Sequence, residues 1–371
     1  MGGKSSTHGG LAITFENSSC FTGQEVFGAV HISVTAPTTQ GTLYLRFKGI
    51  EETQWTTTKR TRIAGKTVTT MTDHGGKLKI CNVSYPIYNF DHGLDIGGYT
   101  LPFCFRLPDN IPSSLSYSEG RTLASIEYKF HAKFVGISGE IIKGKEIIHM
   151  RQAVYTLQKD LAQKKTAVLR TWCCINKGTC EVDVSYPQDT YSPSEKGKFY
   201  AIVDNSLSKL SITSATCKFG YSLRLREDGA STNLIRNTLI TKTIPLSIPP
   251  GTCGKSNPVE FTIDFDEARE VLARMLTTKG NLIECVYTTD IEAQTDGFCM
   301  CCGDYANVIS PLNIIPNLSC VLQPPPKPQN WSPTMLDSVS LAFDTRYDVP
   351  LVLKPRPISA LSGLNNLANF L

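Results

Sequence analysis

Cysteine offers this sequence its widest choice of chemistry. Six of the thirteen cysteines gather in two short stretches, Trp172-Cys173-Cys174-Ile175 with Cys180 nearby, and Phe298-Cys299-Met300-Cys301-Cys302-Gly303. Four thiolates drawn from Cys173, Cys174, Cys180, Cys299, Cys301 and Cys302 could hold one zinc ion, although their spacing is irregular beside a paired Cys-x-x-Cys set. Clustered cysteines are also acceptors for S-acylation, which makes Cys299, Cys301 and Cys302 candidate palmitoylation sites. A third reading treats them as free thiols that pack like small hydrophobes. Cys81, Cys104, Cys217 and Cys285 are most simply core residues.

Other chemistry is thinner. The opening Met1-Gly2-Gly3-Lys4-Ser5-Ser6 fits the N-myristoylation pattern, with Gly2 as acceptor and Ser6 at the hydroxyl position. One such acyl chain holds a membrane only marginally, so a second contact is needed. Lys59-Arg60-Thr61-Arg62, with Lys66, lies in a threonine-rich stretch after Trp55. It could meet acidic or phosphorylated cargo tails, or anionic headgroups, or it could be a solvated hairpin loop. Lys129, His131 and Lys133 could add a basic stripe. The histidines His8, His31, His74, His92, His131 and His149 show no metal-ligand spacing. Gly-x-Ser-x-Gly elbows, phosphate loops and dinucleotide fingerprints are absent as well. The expectation is a protein that is not an enzyme and uses no cofactor.

Bulk properties narrow the class. A formal net charge of +4 is too small to make nucleic acid the main partner, and no basic-aromatic motif for stacking bases occurs. No apolar run approaches the roughly 20 residues of a membrane-spanning helix. The first residues lack the apolar core of a secretory signal, so a reducing, cytoplasmic setting is expected, with the thiols free. The odd cysteine count agrees with that.

The elements that must position these residues are strands. Ile126, Tyr128, Phe130, Ala132 and Phe134 alternate with Glu127, Lys129, His131 and Lys133. Leu43, Leu45 and Phe47 alternate with Tyr44, Arg46 and Lys48 in the same way. A period of two with one wet face predicts antiparallel sandwiches. Asp266 to Leu276 has an acidic start and good helix formers, so one short helix is expected there. Thr22-Gly23-Gln24-Glu25 leading into Val26–Val34 is echoed by Ser192-Pro193-Ser194-Glu195 leading into Phe199–Val203. A device used twice suggests two related β-domains in tandem. The boundaries read as a leader over 1–10, a sandwich over 11–157, a linker over 158–170, a second sandwich over 171–316 and a disordered proline-rich tail over 317–371.

An ordered set of pieces resembles the arrestin fold family, most closely the α-arrestins, the arrestin-domain-containing proteins. In the first domain these are Ile13–Asn17, Gly23–Val30, Leu43–Glu51, Gly98–Pro108 and Ile126–Phe130. In the second they are Tyr191–Glu195, Asp204–Ser206 and Ile248–Cys253. The resemblance implies two immunoglobulin-like antiparallel β-sandwiches. It also implies a cytosolic adaptor that recognises membrane-protein cargo in trafficking, endocytosis or signalling, peripherally associated with the plasma membrane or endosomes. By resemblance the cysteine stretches map to the distal edge of the second domain, where Trp172, Cys173, Cys174, Phe298 and Met300 would touch lipid. Relatives recruit ubiquitination machinery through Pro-Pro-x-Tyr motifs. This sequence has none, although Pro324, Pro325, Pro326 and Pro328 form an extended run that another proline-groove partner could take. Two rivals stay open: a retromer-subunit-like coat component, and a zinc- or redox-regulated signalling scaffold.

Overall fold

The computed structural model describes residues 6–17, 19–63, 66–152, 158–171, 175–227, 232–296, 304–315, 331–342 and 351–353. The chain divides into two compact units. The first takes in Met1–Ala153, Gly280–Leu282 and Leu318–Leu371, and the second takes in Val154–Lys279 and Ile283–Asn317.

In the first unit the strands run β1 (Gly9–Phe15), β2 (Ser19–Phe21), β3 (Glu25–Val34), β4 (Gly41–Ile63), β5 (Lys66–Phe90), β6 (Gly97–Arg106), β7 (Leu115–Glu119), β8 (Thr122–Gly136) and β9 (Ile141–Arg151). One sheet begins β1-β3-β6 and the other is ordered β2-β9-β8-β4-β5, with β7 beside β8. The alternation read from the sequence sets which faces meet. Tyr128, Phe130 and Phe134 of β8 and Phe47 of β4 are fully buried, together with Phe103 and Phe105 of β6. Their rings interlock, with Phe47 and Phe130 centroids 4.9 Å apart. Such tilted aromatic pairs add a fraction of a kcal/mol to about 1.5 kcal/mol beyond simple burial. Glu51 of β4 is also fully buried, and its carboxylate accepts from the backbone amides of Asn281 at 3.1 Å and Leu282 at 2.8 Å, in a segment that belongs to this unit.

The second unit repeats the plan. Its strands are β10 (Lys159–Thr171), β11 (Ile175–Gln188), β12 (Thr190–Tyr191), β13 (Lys196–Asn205), β14 (Ile212–Arg226), β15 (Thr232–Ile248), β16 (Thr252–Cys253), β17 (Val259–Asp264), β18 (Thr278–Lys279), β19 (Ile283–Thr295) and β20 (Asn307–Ile314). They form the sheets β10-β11-β13-β16, with β17 on β13, and β12-β20-β19-β14-β15, with β18 on β19. The expected helix is a 3₁₀ turn over Phe265–Ala268 followed by α1 (Arg269–Arg274). Asp264 caps that turn by accepting from the Asp266 amide, and Phe265 and Leu272 are buried.

The repeated device is structural. β3 and β13 are each ten residues long and lie inside their sheets, paired on both sides. The loop after β13 is tied down by Asn205, whose fully buried amide donates to the carbonyls of Leu210 (2.8 Å), Pro249 (3.1 Å) and Ile248 (3.4 Å). Gly251, in the turn between β15 and β16 that Asn205 also ties down, has φ of 75°, and Gly23 before β3 has φ of 77°, a region that glycine enters without a Cβ penalty.

The structure corrects the linker reading and adds detail to the sandwiches and the tail. Residues 158–170 form a strand rather than a bare connection: β10 pairs with β11 from Lys159 to Thr171. The sheets are not wholly antiparallel, because β2 runs parallel to β9 and β12 runs parallel to β20. Within the span expected as a disordered tail, residues 331–342 and 351–353 are described and contain short strands. β21 (Thr334–Met335) and β22 (Val339–Ala342) lie parallel on β6, and β23 (Leu351–Leu353) pairs with β22, so the first sheet is extended to β1-β3-β6-β22-β23. Leu341 is buried there, and a methyl group placed on Gly98 would stand 2.9 Å from the Trp331 ring.

Candidate partner-binding surfaces

Two basic surfaces stand out on the first unit, both built from β4. β4 and β5 pair along their whole length, but β8 accompanies β4 only as far as Gln54 opposite Leu123. Residues 55–63 and 66–74 therefore have only each other, and project as a two-stranded ribbon roughly 30 Å long at about 3.3 Å per residue. Trp55 anchors the base: it is 1% exposed and stacks on His74 with centroids 5.2 Å apart. The His74 ring is held further by Thr57 Oγ1 at 2.9 Å from Nε2. Beyond that point the ribbon is largely exposed.

The pairing register decides what the ribbon presents. Arg60 faces Thr69, Arg62 faces Thr67, and Lys59 faces Thr70, so no carboxylate stands directly opposite any of these cations. Lys66 lies opposite Ile63 at the tip. Arg60 and Arg62 share one pleat side, and Lys59 lies on the other. The carboxylate of the ribbon, Asp73, accepts from Thr56 Oγ1 at 2.6 Å. All four cations of the sequence reading thus lie in one exposed element, on two of its faces. Two planar guanidiniums on one side suit bidentate capture of carboxylate or phosphate.

The second surface is the outward face of β4, β8 and β9. Lys129, His131 and Lys133 face Lys48, Arg46 and Tyr44 of β4. On the other side His131 faces Lys145, and Lys133 faces Lys143. Arg46, Lys48, Lys143 and Lys145 thus join the stripe read from the sequence. Burial holds the His131 imidazole below its ordinary range, and the charges of Arg46, Lys48, Lys129 and Lys145 push it the same way. Alternation marks each of these residues as outward, but strand order and register, which a single sequence does not carry, bring them together.

Much of the remaining site reading lies outside the described residues: Gly2, Trp172, Cys173, Cys174, Phe298, Cys299, Met300, Cys301, Cys302 and the prolines Pro324, Pro325, Pro326 and Pro328. Cys180 is described, and is fully buried in β11 with burial pushing its thiol up to about 12. Cys81, Cys217 and Cys285 are buried and pushed up to about 12 by the same cause, and Cys104 is buried too. These thiols pack as core residues.

Residues 11–167 match the family described as arrestin (or S-antigen), N-terminal domain. That stretch, less than half of the chain, is similar to an arrestin N-terminal domain; it covers most of the first unit and runs into β10. No curated protein matches the chain. The match supports an arrestin-type adaptor or scaffold role, and arrestin-domain proteins generally act by binding partners. Among the described residues no helix is long and apolar enough to cross a membrane.

Proposed function

We propose that this arrestin-domain chain is an α-arrestin-like adaptor in membrane-protein trafficking, endocytosis or signalling, whose ribbon captures acidic or phosphorylated segments of membrane-protein cargo. The carrying observation is the ribbon itself: Arg60 and Arg62 on one side and Lys59 on the other, each opposite a threonine and exposed. A two-stranded hairpin beyond the edge of its sheet is only marginally stable alone. Such an element can adapt to a partner at little cost to the body that carries it. In this reading the protein is cytoplasmic and peripheral. Gly2 and the cysteine stretches at Trp172–Cys174 and Phe298–Cys302 supply membrane contacts, and the Pro324–Pro328 run recruits trafficking or ubiquitination machinery without a Pro-Pro-x-Tyr motif.

The test is a fluorescence-anisotropy titration of the full chain with an acidic peptide, phosphorylated and unphosphorylated. Each charge-assisted contact is worth about 1.5–3 kcal/mol. Arg60→Glu with Arg62→Glu should therefore weaken binding by roughly 100-fold or more, and added salt should weaken the wild type. Equal binding by the variant would remove the ribbon from the mechanism.

A further inference from the structure

The outward face of β4, β8 and β9 is costly as an inert surface. Lys48 lies directly opposite Lys129, Arg46 opposite His131, His131 opposite Lys145, and Lys133 opposite Lys143. Directly opposed side chains in neighbouring strands have Cβ atoms roughly 5 Å apart, and like charges so placed destabilise a sheet. The carboxylates on this pleat side lie toward one end: Glu127 pairs with Lys129, and Glu52 of β4, opposite Ser125, pairs with Lys77. The whole chain carries a formal charge of only +4, so the cations are segregated onto this face rather than spread. We propose that this face docks on an anionic lipid bilayer.

Three features favour a bilayer over an acidic peptide. Extended peptides add to sheet edges or fill grooves. Here β4 and β8 lie in the sheet interior, paired on both sides, and β9 is flanked by β8 and β2. The cations are chiefly lysines, point charges that suit a field of headgroups better than a fixed bidentate site. The guanidinium of Arg46 is partly committed, donating from Nε to Asn82 Oδ1 at 2.7 Å. Finally, Ile147 and Tyr44 stand opposite Lys129 and Lys133 on the same face, 41% and 37% exposed. Apolar side chains among lysines match the headgroup boundary of a membrane.

Ser6 and Thr7 lie beside β9, which carries part of the same face. Thr7 donates its amide to the Ile141 carbonyl at 2.9 Å, and Ser6 Oγ accepts from the Lys143 amide at 3.1 Å. Gly2 is four residues before Ser6, a reach of at most about 14 Å. An acyl chain on Gly2, as read in the proposed function, would be within reach of a bilayer that the lysines contact, and acyl chain and basic face together would meet the two-signal requirement for stable anchoring. The lysine face stands on its own geometry. Only this acyl addition rests on the earlier reading.

The experiment uses the full, unacylated chain in vesicle co-sedimentation, with phosphatidylcholine alone and with phosphatidylcholine containing phosphatidylserine. Binding should require phosphatidylserine and fade with salt. Lys48→Gln, Lys133→Gln, Lys143→Gln and Lys145→Gln together should weaken it by about fivefold per charge, a few hundredfold in all. The double variant Lys143→Gln with Lys145→Gln, on the exposed part of β9, tests the same point with little risk to folding and should lose roughly 25-fold. The ribbon pair Arg60→Glu and Arg62→Glu should keep most vesicle binding, which separates this surface from the cargo reading. Equal binding to neutral vesicles would overturn the proposal. So would unchanged binding in both lysine variants, or a face that binds an acidic peptide but no vesicle.

Discussion

Replacing Leu341 by alanine probes whether the chain's C-terminal part completes the first sandwich. Leu341 lies in β22, opposite Phe105 of β6, and is 1% exposed. Burying a leucine side chain is worth about 1.5–3 kcal/mol, and truncation in a packed site costs about 2–5 kcal/mol once the cavity is counted. β22 lies toward the outside of its sheet, where neighbours can relax, so a loss of about 3 kcal/mol is expected. At about 2–4 °C per kcal/mol for a unit of this size, the first unit's transition should fall by roughly 6–12 °C. Trp55 and Trp331 both lie in that unit, so tryptophan fluorescence in a Trp172→Phe background follows its unfolding. Met335→Ala is the control, because Met335 is 46% exposed in the same stretch and its loss should stay within about 0.5 kcal/mol. If Leu341→Ala moved the transition no more than Met335→Ala, the pairing of β22 with β6 would not be a working part of the fold.

Other consequences follow from the same geometry. Asn205→Ala strips the donor from the Leu210, Pro249 and Ile248 carbonyls, at about 1–3 kcal/mol per stranded group, partly offset because Asn205 Oδ1 has no partner among the described residues. A net loss of about 2–4 kcal/mol should appear in denaturant unfolding of the second unit. His131 lies below its ordinary range in the folded protein, so the unfolded chain binds more protons as pH falls below about 6.5, and the first unit should lose stability through that window. An imidazole NMR titration should place His131 below a free histidine, and anionic vesicles should raise it toward the ordinary value. Cys81, Cys180, Cys217 and Cys285 should resist iodoacetamide in the native protein and react only on unfolding, whereas Cys253, exposed, should label first among the described cysteines, as read by peptide mass spectrometry.

Legibility in the sequence followed physical locality. β8 could be read because each of its inward residues is apolar and each outward one polar over nine positions, a signal set within the strand. The arrestin resemblance rested on turn residues such as Gly23 and Asn205, whose roles are also local. β10 was missed because its first half is an edge: Lys159 to Lys165 is mostly exposed and charged, which is how an edge strand discourages pairing with other chains and also how a linker looks. β22 was missed because four residues amid prolines gain strand structure only by pairing with β6, far away in sequence. The ribbon cations were visible as a run, but that a threonine rather than a carboxylate faces each of Lys59, Arg60 and Arg62 needed the β4–β5 register. The lysine face needed strand order as well, since Lys48, Lys129 and Lys145 come from three separate stretches.

Hydrogen exchange on the full chain, with and without an acidic phosphopeptide, tests the cargo-binding claim most directly. New protection of backbone amides is expected over residues 55–63 and 66–74, lost in Arg60→Glu with Arg62→Glu. Bound peptide that leaves those amides exchanging as before, while protecting some other part of either unit, would contradict it.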